Sequence, residues 1–98
     1  MFVYKVFKEG QDTLLAICDS SIVGKNFEDG EISIRVSEDF YSEKECKKTE
    51  AIKLAKEATI INAVGNDIVN LLIDEKIVNK SNVIKIGKVL HAQVVSVW

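Results

Sequence analysis

The chain has 98 residues, 47% of them hydrophobic and 29% charged, a balance typical of one soluble globular domain over residues 1–98. Its formal net charge of −2 argues against strong electrostatic binding to nucleic acid, although lysines that are distant in the sequence can still form a local basic patch. No apolar run approaches the roughly 18 residues that a membrane helix needs, and the N-terminus lacks the basic-then-apolar order of a signal peptide, so we expect a cytoplasmic protein with no membrane partner.

The first segments predict a β-hairpin. Residues 2–8, FVYKVFK, are rich in β-branched and aromatic residues and alternate in the manner of a strand. A short glycine-containing loop at 9–12 separates them from TLLAIC at 13–18. The second run is apolar at every side-chain position except its first, which predicts a strand that is buried on both faces and pairs with the first.

Residues 19–37 predict a helical turn followed by a strand. Asp19 or Ser20 can cap a single helical turn, and Gly24 can end it in a left-handed conformation. The sequence EISIRVS at 31–37 shows the cleanest alternation in the chain, with aliphatic residues on one face and polar residues on the other. It therefore predicts a strand with one solvent-exposed face.

A polar segment with one aromatic pair, Phe40 and Tyr41, comes next. An exposed aromatic pair stacks on bases or anchors a partner, whereas a buried pair closes the end of the core, and we favour the second interpretation. The sequence SEKE at 42–45 fits a capping box, with Thr49 and Glu50 as a competing start. The spacing that follows predicts an amphipathic helix.

Residues 59–65, TIINAVG, predict a short buried strand that ends at Gly65, with continuation of the helix as the alternative. Asn66 is then expected to cap a second helix over 67–76. Backbone N–H groups at such a helix start can bind an anion. Asp67 places its own carboxylate there, however, so a turn is favoured over a phosphate site, with Asn62 and Asn66 as candidate polar contacts.

The C-terminal part predicts a second hairpin, with a turn at 79–82, a strand at 83–87 and a returning strand at 89–98. The order of elements is β-β-β-α-(β)-α-β-β. It predicts the α+β class, with a mainly antiparallel mixed sheet and two helices packed on one face.

His91 and Gln93 are the leading site candidates in this last strand. Side chains alternate along a strand, so both share one face with three valines, about 7 Å apart, whereas the face that carries Trp98 is expected to be core. Together they can hold a planar polar ligand, such as a base or an amide. The simpler interpretation, which we favour, is that His91 bonds a backbone carbonyl or a carboxylate and organises the hairpin.

Cys18 and Asp19 end a predicted strand, where functional sites often collect. A thiolate nucleophile needs a nearby base, and His91 is the single histidine. The favoured interpretation is that Cys18 fills apolar space in the core. One histidine and two cysteines without CxxC spacing also leave a zinc site short of ligands, so we predict no metal, no cofactor and no catalytic residue.

Three segments together resemble a small archaeal family described as domain of unknown function four-two-four. They read LLAICDSSIVGKNFEDGEISIRVSEDFY, EATIINAVGNDIVNLLIDEKIV and VIKIGKVLHAQVV. The family usually has a proline immediately before the histidine, where this chain has Leu90. The resemblance implies an archaeal cytoplasmic protein. It brings no known reaction and therefore no catalytic assignment.

Three functional hypotheses remain open. The first, which we favour, is a small non-catalytic binding module with a protein or RNA partner, and an association with translation is one version of it. The second is an enzyme that uses His91 with Cys18 or Asp19, and the third is an assembly protein that forms a homodimer through a sheet edge. The candidate ligand- or partner-binding residues are His91, Gln93, Asn62, Asn66, Tyr41, Cys18 and Asp19.

Overall fold

The computed structural model describes residues 1–95. The strands are β1 (Phe2–Glu9), β2 (Asp12–Asp19), β3 (Asn26–Asp29), β4 (Ile32–Arg35), β5 (Lys44–Cys46), β6 (Ile60–Val64), β7 (Val83–Ile86) and β8 (Val89–Val95). The α-helices are α1 (Glu38–Tyr41), α2 (Lys48–Glu57) and α3 (Asn66–Asp74), and single 3-10 turns lie at Ser20–Ile22 and Lys80–Asn82. The predicted α+β class is confirmed. The expected core role of Trp98 lies outside the described residues.

A six-stranded sheet in the order β5-β1-β2-β6-β8-β7 organises the molecule. Its strands pair antiparallel except for β2 and β6, which are parallel. Because β2 and β6 lie in the middle and are largely covered on both faces, their sequences are apolar runs without clean alternation. The first hairpin and the strand ending before Gly65 are present as predicted. The C-terminal hairpin is present as far as Val95, and the rest of its predicted second strand lies outside the described residues.

Helices α2 and α3 cover one face of this sheet and enclose the larger core. Fully buried residues of β2, such as Leu15 and Ile17, pack there against Ile68 and Leu72 of α3. The predicted packing of two helices on one face is therefore confirmed, and its cause is the apolar stripe that each helix turns toward the sheet. The longest helix in residues 1–95 spans ten residues, and none is long and apolar enough to cross a membrane.

The opposite face is covered by the β3–β4 hairpin and by the one-turn helix α1, which bury a second, smaller core. Val36, Tyr41 and Cys18 lie in that core. The hairpin is a correction to the sequence analysis, which predicted the strand at 31–37 but not its partner β3. The partner was missed because its sequence, NFED, has no apolar alternation and takes its strand form from pairing with β4.

The predicted capping box at 42–45 is wrong. These residues lead into β5, which pairs with β1 so that Cys46 lies opposite Phe2, buried in the larger core. Helix α2 starts instead at Lys48, near the competing start, and its N-cap residue Lys47 makes no side-chain capping bond. Strand pairing and burial of Cys46 outweigh a capping interaction, which contributes only about 1 kcal/mol.

Candidate functional site

His91 occupies the middle of β8 and is held by the backbone of the neighbouring strand. Its Nδ1 lies 3.0 Å from the carbonyl oxygen of Ala63. Because a carbonyl only accepts hydrogen bonds, Nδ1 carries the proton and donates it. Burial lowers the pKa of His91, and the bond to Ala63 offsets this in part. The ring is therefore neutral at pH 7, with Nε2 as an acceptor.

Nε2 of His91 is available to a partner. It makes no hydrogen bond to any residue between 1 and 95, and no side-chain nitrogen or oxygen in that range is both buried and unpartnered. The acceptor position of Nε2 is therefore unused by the part of the chain that the structure describes. The favoured sequence interpretation, a histidine bonded to a backbone carbonyl, describes one side of the ring, and the other side makes no hydrogen bond within residues 1–95.

Asn62 and Gln93 lie directly opposite each other on β6 and β8. Cross-strand partners share a face of the sheet, so both carboxamides lie on the same face as His91. The hydroxyl of Tyr41 donates to Oδ1 of Asn62 at 2.5 Å. This bond orients the Asn62 carboxamide, whose Nδ2 makes no hydrogen bond to residues 1–95, while the side chain of Gln93 is exposed.

Apolar residues frame these polar groups. Ile84 of β7 lies opposite His91 and Ile60 of β6 lies opposite Val95. Ile84, on the edge strand β7, is 50% exposed, and Val95 is 61% exposed. We call this surface the open face, and it consists of Ile60, Asn62, Ile84, His91, Gln93 and Val95. It carries no fixed charge, because its one titratable residue is neutral at pH 7.

The aromatic pair closes the smaller core, as the favoured interpretation predicted. Tyr41 is buried, and Phe40 stacks on Phe7 with ring centroids 5.2 Å apart while meeting Tyr41 edge-on at 4.9 Å. Burial raises the pKa of Tyr41, and the nearby Cys18 raises it further. The hydroxyl therefore stays protonated at neutral pH and remains a donor to Asn62.

Cys18 and His91 are not assembled into a nucleophile–base pair. In the strand register Val64 lies between them, and two strand spacings amount to about 10 Å. Cys18 is fully buried, and burial raises the pKa of its thiol to about 12. The thiolate that catalysis requires is therefore scarce at neutral pH. Within residues 1–95 no cluster of three or more His, Cys, Asp or Glu residues is placed to hold a metal ion.

Asp19 caps helix α3, which corrects the expectation that Asp67 or Asn66 would satisfy this helix start. Its Oδ2 accepts from the backbone N–H of Asp67 at 3.0 Å and its Oδ1 from that of Ile68 at 2.9 Å. The N-cap residue is Gly65. Because β2 and β6 are parallel, their carboxyl ends meet at one edge of the sheet, which brings Asp19 to the helix.

The Asp19 carboxylate fills the position that an external anion would take at this helix start. Burial raises the pKa of Asp19, and the two backbone N–H bonds oppose that shift. The predicted turn at Ser20–Ile22 is present, but Asp19 makes no side-chain cap to it. The choice of a turn over a phosphate site is therefore supported, with Asp19 as the group that closes the site.

Asn66 uses both ends of its carboxamide within the fold. Nδ2 donates to the carbonyl of Lys88 at 3.1 Å, and Oδ1 accepts from the backbone N–H of Leu90 at 2.9 Å. These bonds fasten the β7–β8 turn to the start of α3. Asn66 thus has a structural role, and sequence reasoning missed it because its two partners come from a hairpin more than twenty residues away.

Comparisons with known proteins fix the family but not the activity. No curated protein matches the chain. The crystal structure of an uncharacterized conserved protein from Methanopyrus kandleri is similar, with a TM-score of 0.79 and 21% identity over 99% of this chain and 94% of that chain, which shows a shared fold. A family model described as "Protein of unknown function (DUF424)" matches residues 7–97. The resemblance seen in the sequence is confirmed, and the chain belongs to the DUF424 family.

Proposed function

We propose that this protein is a small, non-catalytic binding module of the cytoplasm that docks a protein partner on the open face. One observation carries the proposal. Hydrogen-bonding atoms of His91, Asn62 and Gln93 remain without partners in residues 1–95, beside two aliphatic residues that are at least half exposed. An exposed surface that mixes aliphatic residues with unused hydrogen-bonding groups suits an interaction site.

Binding is favoured over catalysis by the state of the reactive groups. The buried thiol of Cys18 is protonated, and Asp19 is engaged with the start of α3. The alternative enzyme would need one of these two groups free and close to His91. The neutral imidazole on the open face is suited to accept a hydrogen bond from a partner. Such binding requires no catalytic group.

A protein partner is favoured over RNA by charge. The open face contains no lysine or arginine, whereas nucleic-acid affinity comes largely from cationic contacts with phosphates. Lys5 lies on the same face of the sheet, but its ammonium donates to the carbonyl of Asp39. A neutral surface of mixed aliphatic and amide groups complements a protein surface of the same kind.

The test compares partner capture by matched variants. Tagged wild-type protein, Gln93→Ala, Ile84→Ser and the control Asn70→Ala are used to capture partners from native lysate, with and without ribonuclease. Asn70 is an exposed carboxamide on α3, on the other side of the sheet. A captured protein is then purified and its affinity for each variant is measured.

We expect a protein whose capture is unaffected by ribonuclease and which binds wild type and Asn70→Ala equally. Each open-face variant should weaken that binding about tenfold, the effect of losing one well-placed interface contact. Equal binding by all variants would show that the open face is not the docking surface. Capture that is lost with ribonuclease would assign RNA as the partner, and capture of the same chain would assign a homodimer.

A further inference from the structure

We infer that the open face recognises an amide group of its partner, with the amide N–H donating to Nε2 of His91 and the amide carbonyl accepting from Nδ2 of Asn62. The inference rests on the proposed function and names the chemistry that the same surface would bind. It follows from which atoms the fold has already engaged. The partner's amide comes from a backbone segment or from an Asn or Gln side chain.

The acceptor half of the site is fixed by the backbone. Nδ1 of His91 donates to the carbonyl of Ala63, so the neutral ring has its lone pair on Nε2. An acceptor at this position binds N–H or O–H donors and repels carbonyl and carboxylate oxygens. Burial lowers the pKa of His91, which keeps this tautomer neutral at physiological pH.

The donor half is fixed by Tyr41. The buried phenol donates to Oδ1 of Asn62, and its raised pKa keeps it protonated. The phenol oxygen also accepts hydrogen bonds, but its 2.5 Å separation from Oδ1 of Asn62 suits an O–H···O bond and is shorter than an N–H···O bond of about 2.9 Å. Oδ1 therefore faces Tyr41, and Nδ2 faces away from it. Tyr41 therefore acts as a positioning residue and Asn62 as the donor.

The two residues are near neighbours on the sheet. His91 and Asn62 are diagonal across the β6–β8 pair, a relationship that separates the two Cα atoms by about 7 to 8 Å. An amide held at both ends needs a distance of about 8 Å between Nε2 and Nδ2, which is the sum of about 2 Å within the amide and a hydrogen bond of about 2.9 Å at each end. The exposed carboxamide of Gln93, opposite Asn62, offers a second contact to the same group or to the next amide.

The test uses amide probes that differ in the donor. The full chain, labelled with nitrogen-15, is titrated with benzamide and with N,N-dimethylbenzamide, which keeps the ring and the carbonyl but has no N–H. The signals followed are the ring nitrogens of His91 and the side-chain amides of Asn62, Gln93 and the control Asn70. The ring nitrogen shifts of the free protein report the tautomer directly.

We expect benzamide to shift the His91 and Asn62 signals but not those of Asn70, with at least fivefold weaker binding of the dimethyl probe, since one hydrogen bond is lost. Tyr41→Phe should weaken the binding of both probes, because Asn62, which contacts the carbonyl that they share, is then free to rotate. Equal binding of both probes, no shift with either probe, or a proton on Nε2 in the free protein would each overturn the inference. None of these results alters the partner-capture experiment, which alone decides whether the open face is a docking surface.

Discussion

The carboxylate of Asp19 accepts a 2.9 Å hydrogen bond from the backbone N–H of Ile68, 49 residues later in the chain. This contact joins the carboxyl end of β2 to the start of α3. We expect Asp19→Ala to lower the free energy of unfolding by about 1 to 3 kcal/mol, because it leaves two backbone donors at a helix start without a partner. Urea unfolding measures the change.

Asp67→Ala is the matched control for that prediction. Asp67 lies in the first turn of α3, but it is its backbone N–H, which alanine retains, that bonds Asp19. We expect a cost below about 1 kcal/mol, from the interaction of its carboxylate with the helix dipole alone. Equal losses in the two variants would contradict the assignment of Asp19 as the cap.

Gly65 leaves room for the Asp19 carboxylate. Its φ angle is 127°, and a Cβ at this position would lie 2.5 Å from Oδ2 and 2.8 Å from Oδ1 of Asp19. We expect Gly65→Ala to destabilise the fold by about 2 kcal/mol or more, from backbone strain and from this clash. A double-mutant cycle with Asp19→Ala should recover part of the loss. Strict additivity in the cycle would show that the two residues are not coupled.

His91 should make stability depend on pH. Its pKa is lowered by burial in the folded state, so protonation favours the unfolded chain. Its contribution is complete above the unfolded pKa of about 6.5 and is lost as the pH falls through the lower folded value. The measurement is urea unfolding at steps between pH 7.5 and pH 5.5.

The His91→Gln variant is the control for this pH dependence. It removes the only histidine, so its stability should fall less than that of the wild type over the same range. Asp19, whose pKa is raised, contributes with the opposite sign, but it is present in both proteins and largely cancels in their difference. Parallel pH curves for the two proteins would rule out a buried, neutral His91.

Two substitutions of Tyr41 should distinguish the stability contributed by its hydrogen bond from that contributed by packing of its ring. Tyr41→Phe removes the bond to Asn62 but keeps the buried ring, and we expect a loss of about 1 kcal/mol in the free energy of unfolding. Tyr41→Ala also removes the ring and should cost about 3 to 5 kcal/mol. Thermal or urea unfolding tests both values. A Tyr41→Phe variant as stable as the wild type would show that the bond contributes nothing to the fold.

The cysteines should resist alkylation in the native protein. Both are buried, and burial raises the pKa of Cys18 to about 12 and that of Cys46 to about 11. Since the thiolate is the reactive species, iodoacetamide at pH 8 should modify them slowly in buffer and quickly in concentrated urea. Mass spectrometry follows each site. Rapid native modification of Cys18 would restore the case for a reactive thiol.

Local sequence patterns were sufficient for most of the regular structure. The β-branched alternation of the first hairpin, the apolar run before Gly65 and the pattern at 83–87 each predicted a strand that is present. Apolar spacing likewise predicted α2 and α3. These elements can be predicted because one face of each strand and one stripe of each helix must be buried. That requirement produces an apolar pattern among residues only two to four positions apart.

Elements held by distant partners could not be predicted in this way. The sequence at 42–45 matches a capping box, and β5 forms there only because Cys46 pairs with Phe2. The sequence of β3 has no apolar pattern, and it forms a strand because it pairs with β4. The role of Asp19 needed the parallel pairing of β2 with β6, which local sequence does not specify. In each case the stabilising contact joins segments whose register is fixed only when the sheet forms.

The candidate site divides along the same line. The sequence alone determined that His91 and Gln93 share a strand face, because side chains alternate with a period of two residues. Only the tertiary structure decided that Asn62 joins them, that Tyr41 orients it, and that Ala63 engages Nδ1 and leaves Nε2 open. The physical reason is that alternation is a property of one strand, whereas hydrogen-bond partners and solvent exposure depend on which strands become neighbours.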